Sequence, residues 1–320
     1  MSQKSRIRKR LFNKFSQNLQ LVKKHPKIET DPDFTYGYKC PICWRLFAEY
    51  DSYTSTGLHL TIEDVPPKSL GGKPILLTCN ECNNYAGVRF ESQLGQHLTL
   101  VDFMKGIPGV SQKSQVIIDN GIKIPGKLIS ESKDCFKIDV SSKKANPKEY
   151  LKLIELLQKG ITPKVNLKIK GTNQSFVEVA LLRIAYLLAY DFFGFGFLVN
   201  QNLMTVRNQI LNPLKQIMFN KGIINSAFSD ERIGVHLIDE PKDLKSFLVV
   251  FQVKTRHNKY NFGVVLPGPG EPGLNIYSNL ERYLNEQQKK VPVNIQAIKK
   301  RDFISNPELV LAPHQYWRMY

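Results

Sequence analysis

Two Cys-x-x-Cys pairs, Cys40-Pro-Ile-Cys43 and Cys79-Asn-Glu-Cys82, stand 35 residues apart in a chain of 320. Each pair can close a short turn that presents two sulfurs, and four thiolates complete a tetrahedral zinc site. The spacing therefore predicts that Cys40, Cys43, Cys79 and Cys82 hold one structural Zn²⁺. A module this small has little core of its own, so the ion supplies part of its folding energy. Only Cys135 lies outside the pairs, and it reads as a core residue of a strand.

The charge balance narrows the partner. With 45 Lys and Arg against 28 Asp and Glu, the formal charge is +17. That balance favours a nucleic acid or an anionic surface over acidic small molecules. Nine of the basic residues fall within residues 1–28, where no acid occurs. In the same segment Ile7, Leu11, Phe15, Leu19 and Val22 recur at helical spacing. This is an amphipathic helix whose apolar stripe docks on the protein, whose basic face meets phosphates, or which does both. The run "FVEVALLRIAYLLAYDFFGFGFLV" is broken by Glu178, Arg183 and Asp191, so it is expected as a buried core helix rather than a membrane span. The start of the chain is charged and has no secretory h-region. A soluble, intracellular (cytoplasmic) protein with no membrane partner is the expectation.

Along the chain the pattern is α+β. A basic arm (1–29) precedes the cysteine module (30–105), and a larger mixed α+β domain (106–320) follows. In the last part, short β-like runs at 114–119, 121–130 and 135–142 lead to a helix capped by Asn146 with Pro147 at its first position. A strand at 164–171 and the apolar helix from Ser175 come next, then a helical stretch broken by Pro213. Strands at 232–238, 246–255 and 261–266 precede a helix predicted to start at Ser278, with Glu281 completing its cap. No chemistry is legible in this part. It can supply specificity, assembly with a partner protein, or homo-oligomerisation.

Between the cysteine pairs, "LHLTIEDV" reads as a strand ending in Glu63 and Asp64, "PPKSLGGKP" as a loop and "ILLT" as a second strand. "CNECNNYAGVRFESQL" reads as a helix that begins at the second pair. Strand, loop, strand, helix brings the strand-end carboxylates toward Asn83 and Asn84.

On "IEDVPP", the "GG" loop, "LLTC" and "CNECNN" the chain resembles the HNH endonucleases, the ββα-metal nucleases, in their four-cysteine subgroup. The resemblance covers residues 40 to about 90. It implies a small zinc-stabilised ββα-metal module acting on DNA, in phage defence, restriction or a mobile element. It places an acidic metal ligand at Glu63 and a second ligand at Asn83. These oxygen donors suit a catalytic Mg²⁺ or Mn²⁺ that binds the scissile phosphate. The family's general-base histidine falls on Asp64, and its middle asparagine falls near Pro74, so both features are replaced here.

Imidazole titrates near neutrality, whereas a carboxylate is ordinarily a weaker base. Asp64 is therefore a working but weaker base, a second metal ligand, or the mark of a nuclease fold without cleavage. His59 stands about 16 Å from Asp64 along a regular strand, and His97 lies about four helical turns beyond Asn83. Neither is expected to replace the base. Lys68, Lys73 and Arg89 surround the presumed site and are candidate phosphate contacts. A non-catalytic nucleic-acid-binding or assembly module is the competing expectation, and RNA stays open as the substrate.

Overall fold

The computed structural model describes residues 2–25, 28, 36–50, 57–118, 121–133, 135–140, 145–160, 165–218, 222–224, 228–270, 273–287 and 292–319. It is mixed α+β. The chain divides into two compact units, one made of Met1–Ser92, Gln174–Lys254 and Lys259–Tyr320, the other of Gln93–Asn173 with Thr255–Asn258. These units run differently from the three segments drawn on the sequence. The physical reason is that the N-terminal helix and the apolar helix bury their faces in one core with the cysteine module.

In the first unit, α1 (Gln3–Lys23) starts at Ser2, whose side chain accepts from the Ser5 amide. Of its expected apolar stripe Leu11, Phe15, Leu19 and Val22 are buried, with Phe12 beside them, whereas Ile7 near the start is half-buried. Strands β1 (Tyr38–Lys39) and β2 (Leu46–Phe47) pair around the first cysteine turn. Then β3 (Leu60–Val65) and β4 (Lys73–Cys79) form an antiparallel hairpin, followed directly by α2 (Asn80–Ala86). A π-helical turn at Gly87–Glu91 leads to Ser92, the first residue of α3 (Ser92–Met104), whose remaining residues belong to the second unit. Strand, loop, strand, helix is thus the order observed.

The glycine pair in the hairpin loop has a steric reason. Gly71 has φ +87°, in the left-handed region, and a Cβ on Gly72 would lie 1.4 Å from the Pro66 carbonyl oxygen. Only glycine lets the loop fold back this tightly.

The second unit holds β5 (Ser111–Ile118), β6 (Ile122–Ser132), β7 (Cys135–Val140), α4 (Pro147–Gln158) and β8 (Val165–Ile169). The sheet order is β7-β6-β5-β8, antiparallel throughout. The Asn146 side chain caps α4 by accepting from the Lys148 amide. Leu153 of that helix packs on Val116, Ile118, Ile122 and Ile124. Cys135 corrects the sequence reading. It is exposed, because β7 is an edge strand and this residue faces outward from it.

The rest of the first unit begins with α5 (Gln174–Phe193), α6 (Phe195–Leu198) and α7 (Leu203–Leu211). Helix α7 ends just before the Asn212-Pro213 step, as the proline predicts. A five-stranded antiparallel sheet follows, ordered β13-β10-β11-β12-β9. Its strands are β9 (Ile223–Ile224), β10 (Gly234–Glu240), β11 (Ser246–Lys254), β12 (Lys259–Leu266) and β13 (Asn294–Ala297). Helices α8 (Gly273–Gln287) and α9 (Ala312–Met319) complete the unit. Helix α8 starts five residues before Ser278. Ile276 and Tyr277 are buried, so the apolar face extends a turn further than the cap pattern indicated.

Helix α5 buries Val177 and most residues from Val179 to Phe193, the pattern of a helix enclosed on nearly every side. Its Tyr190 stacks on Phe15 of α1 at 4.6 Å between ring centroids. Among the described residues no helix is long and apolar enough to cross a membrane.

Candidate metal centre

The first cysteine pair sits on the tight turn after β1. Its backbone is closed by the Cys40 amide donating to the Arg45 carbonyl and the Trp44 amide donating to the Cys40 carbonyl, both 2.9 Å. Trp44 has φ +64°, an uncommon conformation for a bulky side chain. Its ring is braced by the Arg207 guanidinium 4.3 Å from its centroid and by Lys39 at 5.2 Å. The second pair spans the strand-to-helix junction: Cys79 ends β4 and is the N-cap of α2, with Cys82 in the first turn. The buried Tyr38 hydroxyl donates to the Leu77 carbonyl at 2.6 Å, which fixes β4 against the first turn.

All four cysteines are free, and their sulfurs lie within 4.8 Å of one another, Cys43 and Cys79 at 3.6 Å. A tetrahedral ion with sulfur ligands at about 2.3 Å sets the sulfurs about 3.8 Å apart, so these four fit a metal such as zinc. Hydrogen bonds from Cys40, Cys79 and Cys82 hold the Cys43 thiol far below the ordinary range. The Cys79 thiol is lowered to about 7, chiefly by Cys40. Burial pushes Cys40 up. Cys82 is pushed up as well, chiefly by its hydrogen bond with Cys40, so the protons are shared unevenly among the four sulfurs. Arg45 and Glu81 join the two turns by an exposed ion pair, which adds little stability.

Glu63, the expected acidic ligand of a catalytic ion, is 2% exposed and fully engaged. Arg183 of α5, also 2% exposed, donates Nη1 to Glu63 Oε1 at 3.0 Å and Nη2 to Oε2 at 2.7 Å. Thr78 of β4 donates its hydroxyl to the same Oε2 at 2.6 Å. Arg183 Nη1 also reaches Glu91 of the π-helical turn, at 2.5 Å. Burial opposes the charge on Arg183, but Glu63 and Glu91 outweigh it and hold the guanidinium above its ordinary range. Burial pushes the Glu91 carboxyl up to about 7 despite Arg183. Two carboxylates facing one cation leave a surplus negative charge, and a proton shared into Glu91 relieves it.

Asn83 points back onto β3. Its Nδ2 donates to Thr61 Oγ1 at 3.0 Å and to the Ile62 carbonyl at 3.3 Å. Thr61 in turn donates to the Thr78 carbonyl. The head of α2 is thus tied to the hairpin through the Asn83 amide nitrogen.

Asp64 follows Glu63 on the strand, so the two side chains leave on opposite faces. The ladder shifts between them: Glu63 faces Leu76 and Asp64 faces Pro74, leaving Ile75 as the extra residue. Asp64 is half-buried and has no ion-pair partner among the described residues. Burial raises its carboxyl above the usual range, while Lys68 pulls it back.

Lys68, Lys73 and Arg89 are all exposed. Lys68 opens a short 3₁₀ turn, Lys73 begins β4, and Arg89 lies 6.0 Å from the Tyr85 ring. His59 Nδ1 is 3.1 Å from the Gly57 carbonyl oxygen. His97 lies in the other unit, 3.3 Å from Thr172 Oγ1.

Arg183 and Glu91 are the site residues that the sequence reading did not assign. A signal existed for Arg183: the one cation of a largely apolar helix, set midway along it, has to find a buried anion. No family model, curated protein or solved structure matches this chain.

Proposed function

We propose that the first unit carries a zinc-stabilised, HNH-like ββα module that binds nucleic acid without hydrolysing it at Glu63. The observation that carries this reading is the Arg183 fork on Glu63. Both oxygens of that carboxylate are taken, and the guanidinium supplies the positive charge that a divalent ion would bring. Replacement of the family's histidine by Asp64 and loss of its middle asparagine point the same way. The excess of basic residues supports a polyanionic partner, DNA in the first instance.

One observation favours a second reading, metal-dependent cleavage centred on Asp64. That carboxylate has no ion-pair partner among the described residues, and its burial raises it toward the range of a useful base. A catalytic Mg²⁺ or Mn²⁺ belongs to this reading alone.

The test is a cleavage assay on DNA duplex and on RNA with Mg²⁺ or Mn²⁺, run beside a binding titration. Salt-sensitive binding with no cleavage is the expected result. Cleavage lost in Asp64→Ala but kept in Glu63→Gln selects the second reading. Cleavage lost in a Glu63→Gln protein that keeps its zinc and its thermal transition overturns the proposal, because Glu63 is then a working ligand.

A further inference from the structure

We infer that the outer face of α1 forms, with Ser305, a groove that holds the phosphate backbone of a nucleic acid. The inference rests on the reading that nucleic acid is the partner, and adds where the chain is gripped. Arg6, Lys9, Arg10, Asn13 and Gln17 are all exposed. At 100° per residue they fall within a sector of about 100°, the face opposite the buried stripe. Together with Ser305 from the chain after β13 they line an open cavity of about 530 Å³. From Arg6 to Gln17 the face runs about 16 Å along the helix axis.

The charge on this face is uncompensated. Lys14, at its edge, pairs with Asp191 at 2.8 Å. Arg6, Lys9 and Arg10 have no ion-pair partner among the described residues. A monomer gains nothing by gathering three unpaired cations in one groove, since like charges repel. A polyanion turns that cost into affinity.

The other donors narrow the class further. Two carboxamides and a hydroxyl can hydrogen-bond phosphate oxygens along a backbone while cations neutralise them, the usual division among backbone contacts. A lipid surface fits less well. An interfacial helix inserts its apolar face into the bilayer, and the apolar face of α1 is already packed in the core.

The test uses the full chain and a fluorescent 20-base-pair DNA duplex titrated at several salt concentrations. In Arg6→Gln/Lys9→Gln/Arg10→Gln, affinity near 0.1 M salt is expected to fall at least tenfold. The slope of log K against log salt should become shallower by two to three, since each lost phosphate contact removes about 0.9. Asn13→Ala/Gln17→Ala should weaken binding while leaving the slope alone. Zinc content and the thermal transition should not change, because the substituted side chains are exposed. If the wild type binds and the triple variant binds equally well, the groove assignment falls and the reading above survives. If the wild type binds neither DNA nor RNA, both fall. Equal or tighter capture by phosphatidylserine vesicles, lost in the triple variant, also overturns the nucleic acid as occupant.

Discussion

Arg183 and Glu63 meet as two parallel hydrogen bonds, 3.0 and 2.7 Å, between side chains 120 residues apart. The geometry is the bidentate fork that makes arginine the preferred partner of a buried carboxylate. Breaking one side leaves a bare charge in the interior. Arg183→Met is expected to lower stability by about 3–5 kcal/mol. The double variant Glu63→Met/Arg183→Met should cost less than the sum of the two singles, because the paired desolvation is removed with the pair. Denaturant unfolding of the four proteins gives the coupling energy, and additive effects would show that the fork contributes nothing.

Glu91 gives the same cluster a pH dependence. Its carboxyl is raised from 4.5 to about 7 in the folded protein, so between these values the folded chain holds more proton than the unfolded one. Stability from this group is therefore full below about pH 4.5 and is lost as pH rises toward 7. The loss is at most about 1.4 kcal/mol per pH unit. In Glu91→Gln this part of the decline should vanish, and unfolding midpoints measured from pH 5 to 7.5 will show it as a flatter profile.

The four sulfurs predict one zinc per chain by elemental analysis. Cys43→Ser and Cys82→Ser should abolish binding, while Cys135→Ser, exposed on the edge strand β7, should leave it unchanged. A chelator should lower the melting temperature by roughly 10 °C or more, the loss expected where metal binding is coupled to folding. Full retention of that temperature in a metal-free sample would remove the structural role.

Gly72 is the most confined position of the hairpin loop. A methyl group there meets the Pro66 carbonyl oxygen at 1.4 Å, and backbone must move to admit it. Gly72→Ala is expected to destabilise by about 1–3 kcal/mol. Gly87→Ala, where added carbon meets nothing within 4 Å, is the matched control and should be neutral or slightly stabilising. Parallel thermal melts compare them.

What the sequence made legible was local. The cysteine spacing gives the sulfur cluster, the runs "LHLTIEDV" and "ILLT" on either side of a Pro/Gly loop give the hairpin, and Asn146-Pro147 gives the start of α4, because each signal is written within a few residues. The apolar stripe of α1 was equally plain. The fate of Glu63 was not, since its neighbours on the strand look the same whether a metal ion or a guanidinium faces it. Only the packing of α5, more than a hundred positions later, brings Arg183 there. Cys135 and the start of α8 were missed for a related reason: exposure of an edge strand and extension of a buried helix face are decided by what packs alongside.

The way the first unit is threaded has a consequence for its synthesis. Tyr186 of α5 donates to the Pro41 carbonyl at 2.7 Å, so the cover over the cysteine turn is made of chain that emerges only after residues 93–173, which belong to the other unit. All four cysteines of the cluster precede α5 in the chain. Glu63 has to wait in water until α5 arrives, and any fragment that stops short of residue 174 keeps its carboxylate there.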